Sequence, residues 1–262
     1  MKHAPLKFAC LLALSIAFGS VAHAQDTAKP PAVASPAVAA TAVALPSSDQ
    51  LLDSYEKAIG GREAWMKINS RISKGTIEIP AANITGDVEV HQKAPDKLLS
   101  VAVVAGQAFR RGFDGTVAWS DDPMNGLREE TGAALASSKR EADFYHPMDL
   151  RKLYPKLAVT GTEKVGDHDT YVLEATNADG KTDKMYFDAK TSLLVRSQNH
   201  RAGPDGDAVY TGDIEDYRDV DGLKLPFVVH QVSDQATFTI TFTEIKQNVD
   251  LTDDQFLKPT PQ

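Results

Sequence analysis

Cysteine is nearly absent from this chain, and its absence removes several kinds of chemistry. Cys10 is the only cysteine in 262 residues, and it lies in an N-terminal segment that we predict to be cleaved off. The residues that remain can form no disulfide, no thiolate metal site and no cysteine nucleophile. A domain of this length can rest on its hydrophobic core without such cross-links.

Long hydrophobic runs are missing as well. The apolar stretch Phe8–Phe18 is too short to cross a bilayer as a helix. Lys2 and Lys7 precede it and the A-x-A pattern Ala22–Ala24 follows it, an arrangement typical of a secretory signal peptide. We therefore predict a signal peptide at residues 1–24 and a periplasmic location, with secretion from the cell as the alternative.

Basic residues show no excess, since 28 Lys and Arg stand against 36 Asp and Glu and the net charge is −8 at neutral pH. Nucleic-acid binding normally requires a basic face that neutralises phosphates. The mildly acidic, evenly mixed charge therefore predicts that nucleic acid is not a partner.

The short motifs of nucleotide binding and catalysis are also missing. The sequence contains no G-x-x-x-x-G-K-[ST] loop, G-x-G-x-x-G fingerprint, G-x-S-x-G elbow or H-E-x-x-H helix. The histidines after the signal peptide never recur at i,i+2 or i,i+4, and the acids before Gly222 fail the spacing of a calcium loop. We therefore expect no enzyme activity, no metal site and no cofactor.

A hydrolase assembled from distant residues is the alternative to that expectation. Asp114, Glu215 and Asp216 are its candidate acids, and His230 is its candidate base. Such a mechanism requires at least two of these groups to converge in a polar cleft with perturbed pKa values.

The organisation of the chain follows from its composition. Residues 25–46 are rich in Ala and Pro and offer no periodic apolar face, which predicts a disordered linker. Ser47 to Gln50 fits a capping box in front of a helix that ends at Gly60 and Gly61. Further short helices are predicted at residues 62–69, 131–145 and 148–154, and residues 47–262 are predicted to form one domain.

Most of the remaining chain alternates apolar and polar residues in short runs separated by turn residues. The clearest run is residues 236–245, where Phe238, Ile240 and Phe242 alternate with threonines. Links this short cannot form parallel crossovers, so the pattern predicts a mainly antiparallel β-sheet with a few α-helices. Asp221 and Gly222 predict a tight turn between two of its strands.

Five segments together resemble a known family. They are QLLDSYEKAIGG at 50–61, GFDGTVAW at 112–119, READFY at 140–145, MYFDAKTSLLVR at 185–196 and DYRDVDGLKLPF at 216–227. This set is similar to the outer-membrane lipoprotein-sorting-protein-like family, which is related to the periplasmic lipoprotein carriers of the LolA and LolB type. The resemblance implies an unclosed, curved half β-barrel with helices on its concave side.

The resemblance also implies a function, namely a periplasmic binding or carrier protein for a lipid, a lipoprotein acyl chain or another hydrophobic ligand. A membrane-bound partner and a monomeric chain are expected with it. The alternative is a sensor or protein-interaction module that holds no ligand. Strand parity and the thin helices suggest the lining of the hydrophobic cavity: Val101, Val103, Phe109, Trp119, Leu135, Phe144, Phe187, Phe238, Ile240 and Phe242.

Overall fold

The structure, a computed structural model, describes residues 44–203, 206–233 and 237–260. The predicted signal peptide and residues 25–43 of the predicted linker lie outside the described residues. The predicted domain falls within one compact unit, Val43–Gln262. None of the helices in the described ranges has the length and apolar character needed to cross a membrane.

Four α-helices lie among the described residues. They are α1 (Ser48–Ala58), α2 (Arg62–Trp65), α3 (Gly132–Ala142) and α4 (Leu150–Leu153). The predicted capping box is present before α1, because the Ser47 hydroxyl accepts from the Gln50 amide at 3.1 Å and the Gln50 side chain accepts from the Ser47 amide at 2.9 Å. The predicted helices exist, although three of them are shorter than the sequence pattern suggested.

Thirteen strands form a single antiparallel sheet in the described part of the chain. They are β1 (Ser70–Ile79), β2 (Ile84–Lys93), β3 (Lys97–Val104), β4 (Gln107–Phe113), β5 (Ala118–Asp122), β6 (Gly126–Glu130), β7 (Lys156–Val165), β8 (His168–Thr176), β9 (Thr182–Asp188), β10 (Leu194–Gly203), β11 (Gly206–Val220), β12 (Leu223–Val232) and β13 (Thr237–Gln247).

The strand order is β6-β5-β4-β3-β2-β1-β13-β12-β11-β10-β9-β8-β7. The first and last strands therefore pair in the middle of the sheet, and β6 and β7 form its two unpaired edges. The segment that joins these edges contains α3 and α4. The sheet does not close, which confirms the predicted antiparallel half-barrel with helices on its concave side.

Turn chemistry explains why consecutive strands pair. Asp221 and Gly222 have φ of 50° and 84°, and they join β11 to β12. Positive φ at both central residues is the requirement of a type I′ turn, whose twist matches that of the strands. The predicted turn is thus present.

Residues that face each other across an antiparallel pair share one face of the sheet, so the register separates its two faces. On the helix side, Leu98, Phe113 and Ala118 pack against Ala142 of α3. The main core lies between α1, α2, the α3–α4 segment and strands β8, β9 and β12. Its buried members include Leu52, Phe144, Leu173, Phe187 and Leu223.

The opposite face is covered only in part. A small cluster of Val165, Val172, Tyr186 and Val195 lies on it at one end. At the other end the C-terminal segment crosses the sheet, and the Trp119 indole N–H donates to the carbonyl of Phe256 at 3.0 Å.

Candidate ligand cavity

A cavity of about 420 Å³ lies between the helix-side face of the sheet and the α3–α4 segment. Strands β1 to β4 form one wall, and strands β9 and β10 form the other. α3 crosses the space between them, with Arg111 of β4 paired to Glu141 at one end and Arg140 paired to Asp179 at 3.5 Å at the other. The half-barrel therefore has an interior space that its longest connecting segment covers.

The most unusual side chain of this lining is Arg71, at the start of β1. Its exposed fraction is only 8%, and its Nε and Nη2 atoms are buried without a hydrogen-bond partner. The guanidinium lies over two rings, 5.1 Å from the centre of Trp65 and 5.3 Å from the centre of Phe144. Burial removes its hydration and lowers the pKa of Arg71 well below its usual value, to about 10.

Acidic groups of the lining have partners within the protein. Asp183 accepts from the Tyr154 hydroxyl at 2.9 Å and from the backbone amide of His200 at 2.8 Å. Asp143 accepts from the amide of Tyr145 at 3.1 Å, and burial raises the pKa of the Asp143 carboxyl. The Nε and Nη2 atoms of Arg71 form no hydrogen bond with any of the lining acids.

His146 is a second buried polar group of the lining. Its Nδ1 atom is buried without a hydrogen-bond partner. Burial lowers the pKa of His146, so the imidazole is neutral at neutral pH. The cavity lining therefore combines the unpaired cation of Arg71 with the neutral imidazole of His146.

Apolar side chains line the helix-side face further along the same strands, in two rows that we call the apolar rows. The first row runs Phe109, Ala102, Val88, Gly75 and Phe242 across five strands. The second row runs Val104, Gly86, Ile77, Ile240 and Val229.

Most side chains of the apolar rows are half-buried, so they remain accessible from the concave side. The two glycines allow close strand packing there, because a Cβ on Gly75 would lie 2.1 Å from the carbonyl oxygen of Thr241 and one on Gly86 would lie 2.2 Å from that of Val103. The rows begin about 13 Å along β1 from Arg71, at ~3.3 Å per residue.

A second space, a groove of about 580 Å³, lies on the opposite face of the sheet. Val101 and Val103 line it together with charged residues such as Lys74 and Glu89, which pair at 3.1 Å. Val103 is 40% exposed. This groove has no helix over it in the described part of the chain.

The structure does not bring the ten predicted lining residues together. Val101 and Val103 lie on the groove face, and Trp119 lies under the C-terminal segment on that same face. The pattern could not decide their face, because the alternating positions Leu98 and Val104 of β3 are apolar too. For these three residues the predicted position inside the half-barrel is corrected.

Seven of the ten lie on the helix side. Phe144 lines the 420 Å³ cavity, and Leu135 packs against the neighbouring cluster around Leu98. Phe187 is fully buried against Tyr55, with ring centres 5.0 Å apart. The remaining four, Phe109, Phe238, Ile240 and Phe242, are half-buried on the concave face beyond the cavity.

Sequence reasoning missed the polar part of the lining, above all Arg71. The only available signal was strand parity, which places Arg71 on the same face as Ser73 and the apolar positions of β1. That position alone does not show that the charge is unpaired.

The candidate hydrolase residues do not meet in the cavity. Glu215 and His230 lie 3.6 Å apart, but both are largely exposed on the face opposite the helices. Asp216 pairs with Arg218, and Asp114 accepts from two amides of its own turn. The geometry that the hydrolase alternative requires is therefore absent from the described residues.

No protein-family model and no curated protein sequence matches the chain. Among solved structures, a DUF1329 family protein from Desulfovibrio piger is similar with a TM-score of 0.53 and 16% identity, covering 80% of this chain and 96% of that one. The LolA superfamily protein NE2245 from Nitrosomonas europaea is similar with a TM-score of 0.53 and 14% identity, covering 82% and 99%.

A lipoprotein-sorting protein domain from Vibrio parahaemolyticus, described as putative, has a TM-score of 0.49 at 12% identity, covering 79% of this chain and 94% of that one. The covered cavity and the open sheet define this chain as a half-barrel with an interior cavity. Its fold is the one found in the LolA superfamily protein NE2245.

Proposed function

We propose that this protein is an exported, periplasmic binding or carrier protein for a hydrophobic ligand, either a lipid or a lipoprotein acyl chain. The observation that carries the proposal is the pair of apolar rows, which lie half-buried on the concave face next to the covered cavity. A hydrocarbon chain gains about 0.8 kcal/mol for each methylene removed from water, so contact with these rows favours binding without a catalytic group.

The size and position of the cavity support the same function. Small-molecule sites commonly occupy roughly 300–1,000 Å³, and the cavity of about 420 Å³ falls in that range. The fold shared with the LolA superfamily protein supports a binding role rather than catalysis. The helix-side residues Phe109, Phe144, Phe238, Ile240 and Phe242 are accordingly proposed as ligand contacts.

Lipid extraction and native mass spectrometry of the purified protein test this proposal. We expect lipid to co-purify, and we expect the delipidated chain to take up the uncharged fluorophore N-phenyl-1-naphthylamine. A protein that carries no lipid and also fails to bind the fluorophore contradicts the proposal.

Two matched variants locate the binding face. Ile240→Asp places a charge in the second apolar row, whereas Val103→Asp places the same charge in the groove on the opposite face. We expect Ile240→Asp to weaken fluorophore binding by about tenfold or more, because the carboxylate would have to be desolvated against the chain. Val103→Asp should leave binding unchanged, and the reverse result would move the site to the groove.

A further inference from the structure

We propose that the cavity recognises an amphiphile by its head, a singly charged oxyanion such as a carboxylate, which pairs with the guanidinium of Arg71. This inference rests on the proposed function, since the apolar chain of the same ligand would lie on the apolar rows. The pairing with Arg71 would give the site a preference for charged ligands, which a purely hydrophobic site would lack.

The buried guanidinium of Arg71 has no counter-charge bonded to its Nε and Nη2 atoms. A buried ion costs folding free energy unless it is paired, and a buried N–H without an acceptor is rare in native proteins. Arg71 nevertheless has no acid or carbonyl bonded to its Nε and Nη2 atoms.

Two aromatic rings of the lining orient the guanidinium of Arg71. Trp65 and Phe144 both lie within 5.3 Å of the Arg71 guanidinium and both line the cavity. Contact with aromatic rings leaves the hydrogens at the edge of a guanidinium available. Those edge hydrogens match the two oxygens of a carboxylate, which is the geometry of a bidentate pair.

The charges of the lining are paired unevenly, which leaves one cation without a partner. The lining holds three arginines and three acids. Arg111 and Arg140 have acidic partners, so only Arg71 lacks one. A monoanion would pair with Arg71 and leave the lining as a whole with one net negative charge, whereas a dianion would leave it with two, near Glu141, Asp143 and Asp183. A fatty-acid carboxylate and the phosphodiester of a phospholipid both supply a monoanion.

The test compares ligands that differ only in the head. Delipidated full-length protein is titrated with hexadecanoate, with hexadecan-1-ol and with lysophosphatidylglycerol, each competing against N-phenyl-1-naphthylamine. We expect the wild-type protein to bind at least one of the two anionic lipids about tenfold or more tightly than the alcohol. Which anion shows the preference identifies the carboxylate or the phosphodiester as the source of the head.

Arg71→Met should abolish that preference while it keeps binding of the alcohol and the fluorophore, which also shows that the variant is folded. Arg110→Met is the matched control, because Arg110 lies on the groove face and is half exposed beside Asp121. It should retain the preference.

If the wild-type protein binds the anions and the alcohol with equal affinity, the proposal of an anionic head is wrong, and the proposed function is unaffected. A preference that survives Arg71→Met overturns the role of Arg71. If neither the fluorophore nor any chain binds to the wild-type protein, the proposed function fails, and the head assignment fails with it.

Discussion

Arg71→Met is expected to stabilise the ligand-free protein, although it removes a large side chain from the interior. The cost of the native residue comes from its charge. Burial lowers the pKa of Arg71 well below its usual value, to about 10. At ~1.4 kcal/mol per pKa unit, this lowering corresponds to roughly 3 kcal/mol of folding free energy that the charged form loses.

The sign of this effect depends on pH in a defined way. A base whose pKa is lower in the folded protein destabilises the fold wherever both states are protonated. The full cost is therefore present below a pH of about 10, and it disappears as the pH rises from there toward the ordinary pKa of arginine. At pH 7 the whole cost applies to the wild-type protein and is absent from the methionine variant.

Part of the gain is offset by lost ring contacts. The guanidinium lies 5.1 Å from the Trp65 ring centre and 5.3 Å from the Phe144 ring centre. Each such contact contributes about 2 kcal/mol at a desolvated site, and methionine retains part of it through contacts of its own sulfur with the rings. The expected net stabilisation is about 1 kcal/mol, which corresponds to a rise in Tm of about 2–4 °C for a domain of this size.

Urea unfolding of delipidated protein at pH 7, followed by far-ultraviolet circular dichroism, measures this difference. Arg110→Met serves as control and should change the free energy of unfolding by less than about 0.5 kcal/mol. With saturating ligand the order should reverse, because only the wild-type protein gains the full binding term. A loss of more than about 1 kcal/mol in ligand-free Arg71→Met would refute the reasoning, since it would mean that the folded protein compensates the charge.

Three further predictions concern the frame of the site. Gly75→Ala should cost about 1–3 kcal/mol of stability in urea unfolding, because its Cβ would lie 2.1 Å from a backbone oxygen of the adjacent strand; a neutral effect would contradict the close approach. Trp119→Phe removes the 3.0 Å bond to the Phe256 carbonyl and should make the C-terminal segment more sensitive to limited proteolysis, and unchanged cleavage would argue against this anchoring. Glu141→Gln leaves Arg111 without its carboxylate partner, so hexadecanoate should bind more tightly while hexadecan-1-ol is unaffected; equal changes for both ligands would speak against a charge effect.

Local signals in the sequence were sufficient for much of the fold. The capping box of Ser47 and Gln50 and the turn at Asp221 and Gly222 are formed by residues close together in the chain, so their chemistry can be read directly from the sequence. Short links between alternating runs predicted antiparallel pairing for the same reason. The helices at residues 132–142 and 150–153 were predicted too long, because good helix formers do not show where tertiary contacts end a helix.

The faces of the strands could not be assigned from the pattern alone. β3 carries apolar residues at both parities, so Val101 and Leu98 looked equally suited to the interior. Trp119 looked like a lining residue, yet a segment far along the chain covers it on the opposite face and ends with Phe256 against its indole. Such choices depend on what packs above each face, and that information is not local.

The unpaired charge of Arg71 in the cavity could not be predicted from the sequence for a related reason. An arginine at the start of a strand is ordinarily a solvated or paired residue, and only the folded arrangement shows that Arg71 is both buried and unpaired. Because the apolar rows lie on the same face as this charge, the concave side offers a charged group in the cavity and an apolar surface beyond it, as the proposed ligand would require. A site for hydrocarbon alone would bind more simply with a neutral residue at position 71, whereas the proposed ligand of opposite charge would compensate the cost of the arginine.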